Sequence, residues 1–108
     1  DDWRLFYYGN DGNWAVEGVQ PFIPTGRCGM ATSADGLKWD AVPESTFGPG
    51  ESSAWDSLHV GVGDVHWSGD DLVMYYLGAD RARLPAGPPV EGICMRIGRA
   101  VSTNGGRS

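Results

Sequence analysis

The sequence carries an internal repeat, and a single offset of 69 positions relates its two copies. Residues 2–9 (DWRLFYYG) align with residues 71–78 (DLVMYYLG), and residues 28–36 (CGMATSADG) align with residues 97–105 (IGRAVSTNG). Repeats of this length are typical of arrays of supersecondary units, which bury their faces against one another. The chain holds about one and a half units of this repeat, so we expect it to be part of a larger array.

The composition favours short strands joined by turns. The chain has 17 Gly, 7 Pro and 5 Trp but few strong helix formers, and this balance is typical of an all-β fold. Aromatic and β-branched runs between turn residues predict the strands. The strands are expected at residues 3–8, 27–33, 38–42, 60–67, 72–77 and 93–102. Three long connections separate some of them, at residues 10–26, 43–59 and 79–92.

The predicted strands fit parts of two copies of a four-stranded antiparallel unit. If its strands are A to D, residues 1–42 supply B, C and D of one unit, and residues 60–108 supply A, B and C of the next. Residues 43–59 connect the two units. Radial repetition of such sheets gives a β-propeller. The sequence therefore predicts an all-β fold made of parts of two adjacent four-stranded blades, with the long connections at one end, where a ligand is expected.

Two features of the repeat suit such a fold. The tyrosine pairs at 7–8 and 75–76 place one ring on each face of a strand, as a sheet packed on both faces requires. The Asp-Gly pair at 35–36 and the Asn-Gly pair at 104–105 are expected to form two-residue hairpin turns, in which both residues have positive φ.

The charge and the motifs exclude several functional classes. The formal net charge is −6 and no run of Lys and Arg is present, so nucleic acid is not an expected partner. No apolar stretch approaches the ~20 residues that a membrane-spanning helix needs. Phosphate-binding loops, zinc-ligand spacings and Ser-His-Asp motifs are absent, and no cofactor is predicted. Cys28 aligns with Ile97, so we expect it to pack as a small core residue.

The repeated segments resemble a known family. Residues 5–9 (LFYYG) and 29–39 (GMATSADGLKW) are similar to the blade signature of the arabinanase/levansucrase/invertase superfamily, in which a yyTG strand precedes iGlATSxDGxxW. Residues 54–65 (AWDSLHVGVGDV) resemble the segment that leads into the innermost strand of that family, and residues 75–78 with 97–105 repeat the signature. The resemblance covers nearly the whole chain and implies a five-bladed β-propeller.

The resemblance also implies a chemistry. Enzymes of this superfamily act on carbohydrate with carboxylates that project from inner strands into a central funnel. Glycosidic cleavage needs two such groups, because the leaving oxygen is protonated while the anomeric carbon is attacked. On this comparison, Asp56 and Asp64 are the candidate catalytic residues, although Asp64 stands where the family pattern more often has proline. The alternatives are a turn residue at Asp56 and a hydrogen-bonded structural carboxylate at Asp64.

Candidate substrate-binding residues lie in or beside the long connections. Trp55 and Trp14 are aromatic residues that could stack on a sugar ring, and His59 lies where a connection meets the inner strand. Packing within the protein is the alternative for each. His59 and His66 are seven positions apart and are expected on opposite faces of a regular strand, so no metal site is predicted.

Three hypotheses on function follow. The chain is part of a glycoside hydrolase-like enzyme, or part of a propeller that binds carbohydrate without cleaving it, or a non-catalytic structural or accessory subunit of a larger assembly. In the third case, other protein chains would cover the exposed edges of the blades. Carbohydrate is the expected ligand in the first two cases, and the residues alone do not decide whether the protein is an enzyme.

Overall fold

The computed structural model describes residues 3–10, 12, 15–17 and 20–108, and these residues form an all-β fold without a helix. Six of the strands correspond to the six that the sequence predicts, whereas a short hairpin within the connection 10–26 was not predicted. No described helix could cross a membrane. The strands are β1 (Trp3–Asn10), β2 (Ala15–Glu17), β3 (Gln20–Phe22), β4 (Gly26–Ser33), β5 (Asp40–Ala41), β6 (His59–Ser68), β7 (Asp71–Ala79) and β8 (Arg96–Ser102).

Six of the strands form two antiparallel sheets, and the repeated segments pair in the same register in both. The first sheet has the order β1-β4-β5 and the second has the order β6-β7-β8, while β2 and β3 pair with each other. Tyr7 pairs with Gly29 in the first sheet, and Tyr76 pairs with Gly98 in the second. The sequence offset of 69 positions relates each residue to its counterpart, so the repeated segments pair in the same way. Each sheet has three strands among the described residues.

Burial follows the position of a strand within its sheet. The middle strands β4 and β7 are buried along most of their length. The edge strands β1 and β8 carry the repeated sequences but are largely exposed. Tyr7 on β1 is 39% exposed, whereas its counterpart Tyr76 on β7 is 7% exposed. The neighbours of a strand therefore decide its burial more than its own sequence does.

The hydrophobic core lies between the two sheets. Cys28 is 1% exposed, which confirms its expected place in the core, and burial raises the pKa of its thiol to about 11. The backbone N–H of Cys28 donates a hydrogen bond of 2.8 Å to the carbonyl of Phe47, and this bond ties the connection before β6 to the first sheet. The core is built from Cys28, Val60 and Tyr76, with Phe47, Trp55, Val62, Met74 and Ala100 packed around them.

The long connections gather at one end of both sheets, which we call the loop end. The backbone N–H of Ile23 donates a hydrogen bond of 3.1 Å to the carbonyl of Glu91. Ile23 and Leu58 are both 7% exposed, and a Cβ at Gly92 would lie 2.7 Å from each of their side chains. The connections therefore pack on one another and form a built surface around the strand ends.

The turn after β4 is wider than the sequence predicts. Gly36 has a positive φ of 77° but Asp35 does not, so the pair does not form a two-residue hairpin. Side chains organise the turn instead. The Ser33 hydroxyl accepts a hydrogen bond of 2.8 Å from the N–H of Gly36, and Asp35 Oδ1 accepts from the N–H groups of Lys38 and Leu37. These two backbone bonds hold the pKa of Asp35 below its usual value.

The turn after β8 has the same arrangement, and it also differs from the predicted two-residue hairpin. Gly105 has a positive φ of 74° and Asn104 does not. Asn104 Oδ1 accepts hydrogen bonds from the N–H groups of Arg107 and Ser108 at 3.1 and 3.0 Å. The prediction of a two-residue hairpin was therefore wrong at both positions, because each turn is built around side-chain acceptors.

A β-bulge interrupts the pairing of β6 with β7. Val62 pairs with Tyr76 and Asp64 pairs with Tyr75, so Gly63 between them has no partner in the ladder. A Cβ at Gly63 would lie 2.3 Å from the carbonyl oxygen of Tyr75, and only glycine fits there. The extra residue reverses the face to which the later side chains of β6 point.

Candidate functional site

Asp56 and Trp55 lie just before β6, and both are packed against the middle strand of the second sheet. Asp56 is 7% exposed, and the Tyr76 hydroxyl donates a hydrogen bond of 2.7 Å to its Oδ2. Trp55 stacks on the Tyr76 ring, with 5.7 Å between the ring centroids. Gly78 makes room for both, since a Cβ there would lie 2.8 Å from the Cβ of Asp56 and 2.9 Å from the Trp55 ring. We call Trp55, Asp56 and Tyr76 the Tyr76 cluster.

The Tyr76 cluster has the chemistry of a structural hydrogen bond. Burial, and then the hydrogen bond and the negative charge of Asp56, raise the pKa of Tyr76 to about 12. The phenol is therefore a hydrogen-bond donor at neutral pH, and its proton is directed to the carboxylate. A buried carboxylate needs such a donor because removing it from water is costly.

Asp64 lies on the opposite face of the second sheet. Its side chain is 70% exposed, and its Oδ2 lies 2.8 Å from Nδ1 of His66, whose ring stacks on Tyr75 at 6.0 Å. Asp64 is paired with Tyr75, and consecutive residues of a strand point to opposite faces, so Asp64 points away from Tyr76. The structure therefore does not bring Asp64 together with Asp56 as the carboxylate pair that glycosidic cleavage needs.

The two histidines of β6 share a face of the second sheet, contrary to the sequence prediction. His59 pairs with Ala79 and His66 pairs with Val73, and these partners lie on the same side of β7. The bulge at Gly63 is the reason, because it adds one residue between the histidines. Six strand positions along β7 still separate their partners by about 20 Å, which is too far for one metal ion. Among the described residues, no group of three or more potential metal ligands occurs.

A second group of side chains lies at the loop end, where β1 ends and β6 begins. The rings of Tyr8 and His59 are in contact, with 5.3 Å between their centroids. Asn10 Nδ2 donates a hydrogen bond of 2.6 Å to the Tyr8 hydroxyl, and the N–H of Gly12 donates one of 2.7 Å to Asn10 Oδ1. His59 is 7% exposed and Tyr8 is 41% exposed. We call Tyr8, Asn10 and His59 the Tyr8 cluster.

The hydrogen bonds of the Tyr8 cluster orient its polar groups. His59 Nδ1 lies 3.3 Å from the carbonyl oxygen of Pro24, and since a carbonyl only accepts, this contact assigns the ring proton to Nδ1. The Tyr8 hydroxyl accepts from Asn10 and so keeps its own proton for donation to a ligand. An exposed ring with an oriented hydroxyl and amide suits a polyhydroxylated ligand, whose C–H groups pack on the ring while its hydroxyls form hydrogen bonds.

The predicted binding residues have different positions in the structure. His59 belongs to the Tyr8 cluster, whereas Trp55 is packed against Tyr76. Trp14 lies outside the described residues. Phe22, another aromatic residue of the connections, is covered by the guanidinium of Arg81 at 4.2 Å from its ring centroid.

The sequence prediction did not select Tyr8 and Asn10 as site residues. A signal for them exists in the repeat, because the second copy has Leu77 and Ala79 at the equivalent positions. A polar residue in one copy that aligns with an apolar residue in the other copy departs from the pattern that the two copies share. Such departures are the places where a repeat protein can acquire a site that its scaffold does not require.

Comparison of the chain with protein-family models, with curated proteins and with solved structures finds no match. The function is therefore inferred from the repeat and from the geometry of the Tyr8 and Tyr76 clusters.

Proposed function

We propose that the chain comprises parts of two adjacent blades of a β-propeller of the arabinanase/levansucrase/invertase type, and that it binds carbohydrate at the Tyr8 cluster. The propeller is supported by the common register of the two sheets, in which Tyr7 pairs with Gly29 as Tyr76 pairs with Gly98. Units that repeat in sequence and in pairing pack on one another in arrays.

The outward faces of the two sheets also support the propeller. Both carry rows of apolar side chains that point away from the shared core, and rows of this kind mark surfaces that pack against other protein. In a propeller, each blade packs on a neighbour through each of its faces. The exposed members of these rows are Trp3, Leu5 and Tyr7 on the first sheet and Tyr75, Leu77, Ile97 and Val101 on the second.

The observation that carries the carbohydrate proposal is the partly exposed ring of Tyr8, with its hydroxyl oriented by Asn10. The ring offers an apolar face to a ligand, and the hydroxyl and the amide offer hydrogen bonds. His59 fixes the ring from behind, since it is buried against the carbonyl of Pro24. The cluster lies among the long connections, where a rigid scaffold holds binding residues.

Binding is proposed rather than hydrolysis by these residues. Glycosidases hold their two carboxyl groups about 5 to 9.5 Å apart, on the two sides of one glycosidic bond. Asp64 is exposed on one face of the second sheet, and Asp56 is buried on the other beside Trp55 and Tyr76. This separation supports a carbohydrate-binding role for the segment, with any catalytic pair formed by other residues.

Titration calorimetry with arabinan and levan oligosaccharides and with sucrose tests the binding proposal. Tyr8→Ala should weaken binding at least about tenfold, because it removes both the ring and the oriented hydroxyl. Tyr8→Phe should cost less than Tyr8→Ala, since it keeps the ring. Tyr75→Ala is the matched control, because Tyr75 is a tyrosine of similar exposure, 43%, outside the cluster. Equal losses in Tyr8→Ala and Tyr75→Ala, or no binding of any of these sugars, would contradict the proposal.

A structural or accessory subunit is the second candidate function, and the apolar row on the second sheet favours it. Ile97 is 74% exposed, and Leu77, its partner across β7 and β8, is 44% exposed. If these faces serve only assembly, the protein should associate through them and bind no sugar. Light scattering should then show a smaller particle for Ile97→Glu than for the unchanged chain. Calorimetry should detect no sugar binding by either protein.

A further inference from the structure

A groove on the outward face of the first sheet has a volume of about 530 Å³. The residues that line it include Tyr7, Gly9, Arg27, Gly29 and Ser45. We call Tyr7, Gly9 and Gly29 the floor of the groove. A Cβ at Gly9 would meet no atom of the described residues within 4 Å. This part of β1 is therefore open to whatever packs on it.

The repeat shows what covers the equivalent floor in the second sheet. Tyr76, Gly78 and Gly98 are the counterparts of Tyr7, Gly9 and Gly29 at the offset of 69 positions. They are covered by the Trp55–Asp56 segment. A Cβ at Gly78 would lie 2.8 Å from the Cβ of Asp56, and a Cβ at Gly98 would lie 2.7 Å from the Trp55 ring.

The receiving surface has the same shape in both sheets. A Cβ at Gly29 would lie 2.6 Å from Tyr7 Cζ, and a Cβ at Gly98 would lie 2.4 Å from Tyr76 Cζ. Each tyrosine thus lies across the glycine of the neighbouring strand in the same way. Among the described residues, the first sheet has the floor of the site but no counterpart of the two residues that cover it in the second sheet.

We propose that this groove binds an aromatic–aspartate segment equivalent to Trp55–Asp56, supplied by a further unit of the same repeat. In that complex the Tyr7 hydroxyl donates to the aspartate and the aromatic ring covers Gly9. The strand that follows the segment pairs with the outer edge of β1, which has only β4 as a partner among the described strands. The proposal rests on the repeat and not on carbohydrate binding.

An extended chain that contains such a segment can be made from the sequence of this chain alone. Ser68, Gly69, Asp70 and Asp71 form the hairpin between β6 and β7, and the counterparts of its last two residues are also Asp-Asp, at positions 1 and 2. If a copy of residues 43–69 is placed directly before residue 1, its last residues continue into Asp1 and Asp2. The fusion therefore restores the hairpin sequence with no added linker residues.

This extended chain should be more stable than the original one. We expect its Tm to rise by at least about 4 °C, because the edge of β1 and the groove are both covered. The control is an extended chain that carries Trp55→Ala and Asp56→Ala in the added copy alone, and it should lose most of the gain. An extended chain without a higher Tm, or a control with the full gain, would overturn the proposal.

The substitution Gly9→Ala tests the contact in the groove directly. It should leave the Tm of the original chain almost unchanged, because the new Cβ meets no atom within 4 Å in the part of the chain that the structure describes. In the extended chain it should lower the Tm by about 4 °C or more, as expected where a Cβ is forced against a packed segment. Equal effects in the two chains would show that nothing covers Gly9 and would refute the inference.

If the extended chain does not fold, a peptide of residues 50–67 tests whether the groove binds the Trp55–Asp56 segment. It should bind the original chain, and the peptide with Trp55→Ala should bind at least about tenfold more weakly. Absence of binding, or equal binding of the two peptides, contradicts the proposal. A sugar that raises the Tm of the original chain but not of its Tyr7→Ala variant would also contradict it, since the occupant would then be a small molecule.

Discussion

The repeat supplies a matched pair of tyrosines that can measure what holds Asp56 in the interior. Tyr76→Phe removes one hydroxyl group and leaves the ring, which stacks on Trp55 and packs edge-on against Phe47 at 4.7 Å. Tyr7→Phe removes the equivalent hydroxyl from a residue that is 39% exposed. The difference between the two variants in free energy of unfolding therefore reports the hydrogen bond to Asp56.

The burial of both partners sets the expected magnitude. A hydrogen bond to a charged group contributes about 1.5 to 3 kcal/mol to stability. Tyr76 and Asp56 are each 7% exposed, so loss of the donor also leaves a buried carboxylate less well compensated. We expect Tyr76→Phe to cost about 2 to 3 kcal/mol. Tyr7→Phe should cost less than about 0.5 kcal/mol, as is usual for a change at an exposed position.

Urea unfolding followed by tryptophan fluorescence and circular dichroism measures this difference. The three proteins should share one dependence on urea concentration, so that the shift in midpoint reports stability alone. A double-mutant cycle of Tyr76→Phe with Asp56→Asn should give a coupling free energy above about 0.5 kcal/mol. Equal costs for Tyr76→Phe and Tyr7→Phe, or a cycle without coupling, would refute the structural role of the Tyr76 cluster.

Two further predictions concern the same cluster. The pKa of Tyr76 is about 12 in the folded protein and tyrosine titrates near pH 10 when unfolded, so the stability linked to its proton is complete below about pH 10 and is lost as the pH rises towards 12. Alkaline unfolding curves should show this part of the loss in the unchanged chain and not in Tyr76→Phe, and identical curves would count against the assignment. Gly78→Ala should cost about 1 to 3 kcal/mol because its Cβ meets Asp56 and Trp55, whereas thermal unfolding of Gly9→Ala should match the unchanged chain. A similar Tm for the two glycine variants would show that the Trp55–Asp56 segment does not pack on β7.

The strands and their common register could be predicted from the sequence because local signals define them. Aromatic runs that end at Gly9 and Gly78 mark β1 and β7, and one offset relates both pairs of strands. The turns could not be predicted from their Asp-Gly and Asn-Gly pairs alone. In the first turn the Ser33 hydroxyl and the Asp35 carboxylate accept hydrogen bonds from backbone N–H groups. In a two-residue hairpin these N–H groups would have other partners.

The positions of the candidate site residues depend on contacts between distant segments. Trp55 is partly buried and Asp56 is buried because Gly78 and Gly98 leave space above neighbouring strands, and the pairing of β7 with β8 brings those glycines together. The bulge at Gly63 is a similar case. One extra residue changes the face of every later side chain in β6, and a simple count along the sequence does not include it.

The two copies of the repeat also show why burial is the property that a sequence pattern predicts least well. Tyr7 and Tyr76 have the same place in the repeat and the same cross-strand glycine. Among the described residues, however, Tyr76 alone has a strand on each side and a segment above it. Full burial of one large apolar side chain contributes about 1.5 to 3 kcal/mol. Trp3 and Leu5 are exposed on the same face of β1 as Tyr7, so covering this face would contribute several kcal/mol, which is comparable with the roughly 5 to 15 kcal/mol of a whole domain. If a further unit covers this face as proposed, the gain in stability should therefore be large enough to measure at the groove beside Tyr7.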